Sequence, residues 1–311
     1  MDYFFIINPG SRHRGGARFI PALLKTLQIR RIDFDFRITE TMQDACRFSR
    51  EANLKGAAVV VAVGGDGTIN QVINGFYDDD GKRISSSKLG VIHTGTSPDF
   101  CRSYGIPTQP ELALEALLRG FTQEVSVARI EYHDQSGSSR RGYFACCASF
   151  GLGAQVARAA NSGLRNILGD TLGTFASILL ALGRYKASDL VLHCDGNQVV
   201  KERNFNTFIG KTAWIASGMK VAHELACDDK RLYILAVKKI NIHNLVPALR
   251  AIYSGKAIHK HDYITFDYSQ TIEIQQGSIN NEIEFDGDPQ GYLPCRISVA
   301  ADPLEVITHE L

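Results

Sequence analysis

The sequence lacks an excess of charge of either sign. Lys and Arg number 34 and Asp and Glu number 33, which leaves a formal net charge of +1. Nucleic-acid-binding domains normally carry a clear surplus of basic residues, so this balance predicts no nucleic-acid partner. It leaves room only for a local basic patch.

Several cysteine and serine patterns are also missing. The seven cysteines are odd in number and form no CxxC pair, and no His/Cys cluster has the spacing of a zinc site. We therefore expect reduced and mostly buried thiols, as in intracellular proteins. A GxSxG nucleophile elbow is absent as well, which disfavours a serine hydrolase.

Long apolar runs and targeting signals are scarce too. Residues 4–7 form an apolar run far too short to span a bilayer, and the longer stretch 164–185 is interrupted by charged residues. The first residues show no basic segment before an apolar stretch, so we expect no secretory signal. These absences predict a cytoplasmic protein, and they leave peripheral contact with a membrane surface open.

The sequence is typical of a globular chain, and its pattern of strands and helices differs between its first part and the rest. Its 311 residues are 44% hydrophobic and 22% charged, which is typical of about two globular domains. Over the first 125 residues, apolar strand patterns alternate with amphipathic helix patterns. Strands are predicted at 3–7, 33–39, 57–63 and 89–92, and helices at 17–27, 42–53 and after 64–68. This order predicts a parallel α/β sheet with right-handed crossovers.

After about residue 125 short strands joined by turns predict an antiparallel β-sandwich. The strand patterns lie at 126–133, 141–149, 189–194, 198–202, 205–210, 231–238, 263–268, 271–275, 282–286 and 296–300. One helix interrupts them at about 164–185, with leucines and a phenylalanine on a single face. This face either packs on the sandwich or forms a wall for a lipid chain or a membrane-docking surface. The predicted domains are 1–125 and 126–297, with a tail of about 298–311 that packs back on the first.

The most informative segment runs from a buried strand pattern at 59–63 into Gly64-Gly65-Asp66-Gly67-Thr68-Ile69-Asn70. Glycines without Cβ atoms let a phosphate approach backbone N–H groups, and the start of a helix adds partial positive charge. An aspartate suits this place if a divalent cation lies between it and the phosphates. The spacing is neither a Walker A loop nor GxGxxG, and a tight turn without a ligand stays an alternative.

A second glycine turn follows the strand pattern at 89–92. It begins Gly95-Thr96-Ser97-Pro98-Asp99 and runs to Pro107. Because the carboxyl ends of parallel strands meet at one edge of a sheet, this turn and its acid are expected beside the first one.

These two segments, together with Asn8-Pro9, resemble the catalytic domain of diacylglycerol kinases, sphingosine kinases and their bacterial lipid-kinase relatives. The later segments 148–154, 217–222 and 285–288 fit the same family in the same order. NAD kinases and phosphofructokinases share only the shorter glycine-rich element. The resemblance implies a Rossmann-like parallel α/β domain, then an antiparallel β-sandwich domain, with the active site in the interdomain cleft.

The resemblance also implies roles for individual residues. Asn8 helps to anchor the nucleotide loop, Thr39 contacts the nucleotide, and Asp66 acts near the catalytic Mg²⁺. Asp229 resembles an acid that holds a structural Mg²⁺, and Asp288 takes the place of a glutamate that serves as general base. The residues that hold the ATP phosphates are Gly64, Gly65, Asp66, Gly67, Thr68, Asn70, Gly95 and Thr96.

The chain departs from the family pattern at four positions. Pro98 and Cys146 each stand where the family has Asn, Lys230 where it has Gly, and Asp288 where it has Glu. Pro98 removes an amide side chain and an N–H donor. Asp288 keeps the carboxylate but shortens its reach by about one methylene, and proton transfer depends on hydrogen-bond distance.

The activity implied is an ATP- and Mg²⁺-dependent kinase that transfers the γ-phosphate to a hydroxyl of a lipid such as diacylglycerol. The expected partner is the lipid substrate at a membrane surface. The sequence allows a homodimer without establishing the oligomeric state. Two alternatives stay open, namely a small-molecule kinase of the NAD-kinase type and a nucleotide- or lipid-binding homologue with weakened catalysis.

Overall fold

The computed structural model describes residues 1–11, 16–153, 187–238, 254, 256, 263–275, 282–285 and 288–309, with the side chains of 16–18 and 288–289 excepted. The chain divides into two compact units. The α/β unit comprises Met1–Val127 and Ala300–Leu311, and the β-rich unit comprises Ala128–Val299. The helix expected at about 164–185 lies outside the described residues.

The α/β unit is built on a six-stranded sheet. Its elements are β1 (Tyr3–Ile7), α1 (Gly16–Ile29), β2 (Phe34–Ile38), α2 (Met42–Leu54), β3 (Val59–Gly64), α3 (Asp66–Asn74), β4 (Lys88–His93), α4 (Asp99–Ser103), α5 (Pro110–Arg119), β5 (Thr122–Val125) and, from the end of the chain, β18 (Leu304–Ile307). The strand order is β2-β1-β3-β4-β18-β5. All neighbours are parallel except β18 and β5.

The strand β3 shows why this sheet forms. All six of its residues are buried, as expected for a central parallel strand covered on both faces. It lies between β1 and β4, and its register places Val63 beside Ile7 and Gly64 beside His93. Three strands therefore end at the same edge of the sheet. The predicted Rossmann-like α/β domain is confirmed.

The β-rich unit contains one large antiparallel sheet. Its strands are β6 (Ala128–His133), β7 (Ser139–Phe144), β8 (Cys147–Gly151), β9 (Ser188–Cys194), β10 (Asn197–Gly210), β13 (Leu232–Lys238), β14 (Ile264–Ser269), β15 (Thr271–Ile274), β16 (Glu282–Phe285) and β17 (Asp288–Val299), and a separate two-stranded ribbon has β11 (Trp214–Ile215) and β12 (Met219–Lys220). The strand order is β14-β13-β10-β8-β16-β17-β15-β9. The last strand, β9, also pairs with β10, so the sheet curls back on itself. The sheet thus folds over a core of buried aliphatic and aromatic side chains, which confirms the antiparallel β-sandwich.

Some element boundaries differ from the sequence-based prediction. The predicted strand 141–149 is two strands, β7 and β8, because β7 pairs with β6 whereas β8 pairs with β10 and β16. The predicted strands 198–202 and 205–210 are one strand, β10, with a register shift between its two halves. Arg203, with φ at +49°, lies at this irregularity. The helix α5 and the strands β5 and β18 were not predicted. Within the part of the chain described, no helix is both long and apolar enough to cross a membrane.

Candidate active site

The site is built where β1, β3 and β4 end. The main-chain N–H of Asn8 donates to the carbonyl of Val63, and the N–H of Thr94 donates to the carbonyl of Gly64, each at 2.9 Å. These bonds extend the sheet by one residue and align the three loops that follow. The predicted phosphate-binding segments, far apart in sequence, therefore begin side by side.

Two of the glycines are needed because a side chain at either position would clash with a neighbour. A Cβ atom on Gly95 would lie 2.5 Å from the Cα of Gly65, and a Cβ on Gly64 would lie 2.5 Å from the Cβ of Thr68. Carbon atoms in contact normally stay about 3.5–4.0 Å apart. Both glycines were assigned to phosphate binding from the sequence, but contact of Gly64 with the Thr68 side chain and of Gly95 with the Gly65 backbone already requires them.

The helix α3 presents its first turn at this edge. Gly65 is the residue before the helix, in an extended conformation, and Asp66 and Gly67 open its first turn. The first N–H groups of a helix have no partner within it and carry partial positive charge. Thr68 and Asn70 lie in the same helix, and both are buried.

Asn8 ties the first loop to this helix. Its Nδ2 donates to Oγ1 of Thr68 at 2.9 Å, and its Oδ1 accepts the N–H of Gly10 at 3.0 Å. A threonine hydroxyl that accepts one bond still has its own hydrogen to donate. The amide of Asn8 thus connects the loop after β1 to helix α3, which fits the anchoring role that the resemblance implies.

A hydrogen bond between the loops after β1 and β4 was not predicted. The hydroxyl oxygens of Ser11 and Thr94 lie 2.6 Å apart in a hydrogen bond. Each residue comes shortly after a strand that ends at the site edge, and this common position is the signal that could have singled them out. Thr96, the predicted phosphate contact, lies two residues beyond Thr94 in the same loop.

The acidic residues of the two glycine loops are brought together. Oδ2 of Asp66 accepts the main-chain N–H of Asp99 at 3.1 Å, and Oδ1 of Asp66 lies 3.8 Å from Nε2 of His93. Asp99 and His93 are each 5% exposed. Burial raises the pKa of the Cys101 thiol well above its usual range, and the charge of Asp66 raises it further. Asp99 was expected at this edge of the sheet, but the sequence did not indicate the contact between its main-chain N–H and Asp66.

This arrangement fits a magnesium–nucleotide complex. Over the described ranges, no group of three or more His, Cys, Asp or Glu side chains is placed to hold a metal alone. Mg²⁺ commonly uses only one or two carboxylates and takes further oxygens from substrate phosphates and water. Asp66 and Asp99, next to the glycine turns and the start of α3, provide such a partial ligand set.

Thr39 lies at the same edge, after β2. Its N–H donates to the carbonyl of Ile7 at 2.9 Å, and its hydroxyl is 3.4 Å from the same oxygen. It is 7% exposed. In this arrangement Thr39 joins β1 to β2, so its contact with a nucleotide stays a prediction.

The other two predicted site residues belong to the β-rich unit. Asp288 opens β17, opposite Phe285 of β16. Asp229 lies before β13, and its carboxylate accepts three N–H groups of Arg231, at 2.7, 2.8 and 3.1 Å. The ammonium of Lys211 donates to the main-chain carbonyl of Asp229. Because donors already surround Asp229, its side chain does not fit a metal ligand as it stands.

Lys211 is itself unusual. It is 5% exposed, and burial lowers its pKa to about 8, although the nearby charge of Asp229 counteracts the effect. A pKa of about 8 still leaves the side chain mostly cationic at neutral pH.

Comparison with known proteins finds two family models that match successive parts of the chain. The model of the diacylglycerol kinase catalytic domain matches residues 2–130. The model of the YegS C-terminal NAD kinase beta sandwich-like domain matches residues 146–308, which is more than half of the chain.

Individual relatives agree over almost the whole length. A diacylglycerol kinase of Staphylococcus aureus strain MRSA252 is 28% identical over 98% of this chain and 94% of its own. The crystal structure of a diacylglycerol kinase from Bacillus anthracis strain Sterne superposes with a TM-score of 0.69 at 18% identity, covering 99% of this chain and 97% of that one. Yeast NADH kinase complexed with NADH shares the fold more distantly, with a TM-score of 0.55 at 11% identity over 100% of this chain and 84% of that one. The matched family models and the ordered motifs agree, and the chain belongs to the diacylglycerol kinase family, as a lipid kinase of the bacterial type.

Proposed function

We propose that this protein uses ATP and Mg²⁺ to phosphorylate a hydroxyl group of diacylglycerol or a related lipid at a membrane surface. The observation that carries the proposal is the meeting of two glycine turns and two acidic residues at one edge of the α/β sheet. Relatives over nearly the whole chain are named diacylglycerol kinases, which supports diacylglycerol as the first acceptor to test.

Phosphoryl transfer asks a protein mainly to position phosphates and to balance charge. The main-chain N–H groups of Gly65 to Thr68 belong to the N-cap residue and the first turn of α3. N–H groups at the start of a helix bind phosphate oxygens. The hydroxyls of Thr68 and Thr96 add donors. The close packing of Gly65 on Gly95 keeps these donors in a fixed arrangement before the nucleotide arrives.

Asp66 is the residue that we assign to the metal–phosphate complex. Its carboxylate is oriented by the N–H of Asp99, so one oxygen is held in place while the other faces His93. When bound, Mg²⁺ and ATP supply the transferable phosphoryl group and much of the charge neutralisation that the reaction needs. We assign Asp288 to accept the proton of the lipid hydroxyl, because it stands where the family resemblance implies a general-base carboxylate.

A transfer assay tests this proposal. Purified protein is given Mg²⁺, γ-labelled ATP and mixed micelles that contain diacylglycerol or a sphingoid base, with NAD in a parallel reaction. We expect label on the lipid. Asp66→Asn should lower the transfer rate by about 10²-fold or more, whereas Asp80→Asn, an exposed acid in a distant turn, should leave it unchanged.

Each alternative predicts a different pattern of label. Label on NAD alone would identify a small-molecule kinase and contradict the lipid acceptor. ATP binding without label on any acceptor would favour a homologue with weakened catalysis. If Asp66→Asn transferred phosphate at the parent rate, the assignment of Asp66 to the metal–phosphate complex would be wrong.

A further inference from the structure

The Asp229 loop of the β-rich unit is built around two tethered positive charges. The loop precedes β13 and contains Asp229, Lys230 and Arg231. Arg231 approaches the Asp229 carboxylate with its side chain and its main chain. Nη2 donates to Oδ2 at 2.7 Å, while Nε at 3.1 Å and the main-chain N–H at 2.8 Å donate to Oδ1. This fork geometry is among the stronger hydrogen-bonded ion pairs of proteins.

Lys211 reaches the same loop from the end of β10. Its ammonium donates to the carbonyl of Asp229, and to the carbonyl of Arg231 at 3.1 Å. Its own N–H donates to the carbonyl of Cys146 at 3.2 Å, which fixes the backbone from which the side chain extends. A lysine is almost never fully buried unless its charge is compensated. Here two main-chain carbonyls and the nearby carboxylate compensate it.

The oxygens engaged by these donors are of the kind that a hard cation would need. A structural Mg²⁺ or Ca²⁺ in such a loop would take a carboxylate oxygen and main-chain carbonyl oxygens as ligands. In this chain the carboxylate oxygens of Asp229 face Arg231, and the two carbonyls face the ammonium of Lys211. The ammonium of Lys211 and the guanidinium of Arg231 thus engage the oxygens that one divalent ion would bind.

We propose that Lys211 and Arg231 replace the structural divalent cation that the family resemblance implies at Asp229, so that the β-rich unit folds without a bound metal. The replacement concerns the stability of one unit and not phosphate transfer. It therefore holds or fails independently of the proposed kinase activity.

The chain offers a local probe of this unit. Trp214 is the single tryptophan and lies in β11, three residues after Lys211. Its fluorescence therefore reports on the unfolding of the β-rich unit. Divalent ions are removed from the whole chain with EDTA and desalting. The protein is then heated without nucleotide or lipid. The unfolding temperature is measured with no metal, with Mg²⁺ and with Ca²⁺, for the parent and for Asp229→Asn.

We expect the parent unfolding temperature to be the same with chelator and with metal. A rise that is shared by the parent and Asp229→Asn comes from another site and agrees with the proposal. A saturable rise in the parent that disappears in Asp229→Asn would overturn it, because Asp229 would then bind the ion.

The second part of the test removes the positive charge of Lys211. Lys211→Met leaves two buried carbonyls without their donor, and we expect an unfolding temperature lower by about 3–10 °C. Lys230→Met removes the same charge from the neighbouring exposed side chain, and we expect a change below about 1 °C. Equal unfolding temperatures for the two variants would contradict the role of Lys211. If Lys211→Met does not fold, Arg231→Gln at the half-exposed partner takes its place in the comparison, and a parent-like value would contradict the proposal in the same way.

Discussion

The contact between the two glycine loops can be tested by one methyl group. In Gly95→Ala the new Cβ would lie 2.5 Å from the Cα of Gly65 and 3.2 Å from Nε2 of His93. Because carbon contacts normally lie at about 3.5–4.0 Å, one loop must withdraw by about 1 Å. The obstacle is backbone, so no side-chain rotation can relieve it.

The expected cost has two parts. Overpacking of this kind costs about 1–3 kcal/mol of folding free energy. A displacement of about 1 Å in groups that position a substrate costs about 10²-fold in rate. We therefore expect Gly95→Ala to lose most of its transfer activity and to destabilise the α/β unit. The backbone at Gly95 is not in the left-handed region, so steric contact alone accounts for the effect.

An alanine at the other glycine of this contact, Gly65, is a matched control. In Gly65→Ala the nearest atom to the new Cβ is the Cα of Gly95 at 3.4 Å, which is an ordinary contact. Hydrogen exchange of β3 and β4, followed by mass spectrometry, compares the stability of the sheet edge in both variants. We expect faster exchange in Gly95→Ala than in Gly65→Ala. Equal protection in the two variants would refute the steric reasoning.

Two further predictions concern the other site residues. Asp288→Ala should lower the transfer rate by about 10² or more, whereas Asp288→Glu, which restores the family residue, should retain transfer; an alanine variant as fast as the parent would move the general-base role elsewhere. Thr94→Val and Ser11→Ala each remove the 2.6 Å hydroxyl bond between the loops, so a double-mutant cycle of unfolding free energies should show a coupling of about 0.5–1.5 kcal/mol. Additive effects in that cycle would mean that the bond does not stabilise the loops.

The parts of the fold that local pattern decides were predictable. The continuous apolar run of β3, followed by glycines and an aspartate, indicates a buried parallel strand and a loop for phosphate without any knowledge of its neighbours. The irregularity within β10 was harder to predict. The polar residues at 203–204 interrupt the apolar pattern and are typical of a turn, but the strand continues through them because each half pairs with different neighbours.

The glycines show where sequence reasoning reached the right residue for an incomplete reason. A glycine after a strand indicates a close backbone approach, but not what approaches. The partner of Gly95 is Gly65, and only the parallel register of β3 and β4 brings these two residues together. The same register explains why Ser11 and Thr94, 83 residues apart, could not be paired from the sequence.

The family, the alternation of strands and helices, and the placement of the phosphate-binding motifs after strands could all be read from the amino-acid sequence. These properties depend on residues within a few positions of one another, where hydrophobic period and glycine content act directly. Only the folded chain shows which loops touch, that Asp66 is oriented by the N–H of Asp99, and that Asp229 faces Arg231 and Lys211. Such contacts depend on strand order and side-chain direction, so they arise only when distant segments are packed together.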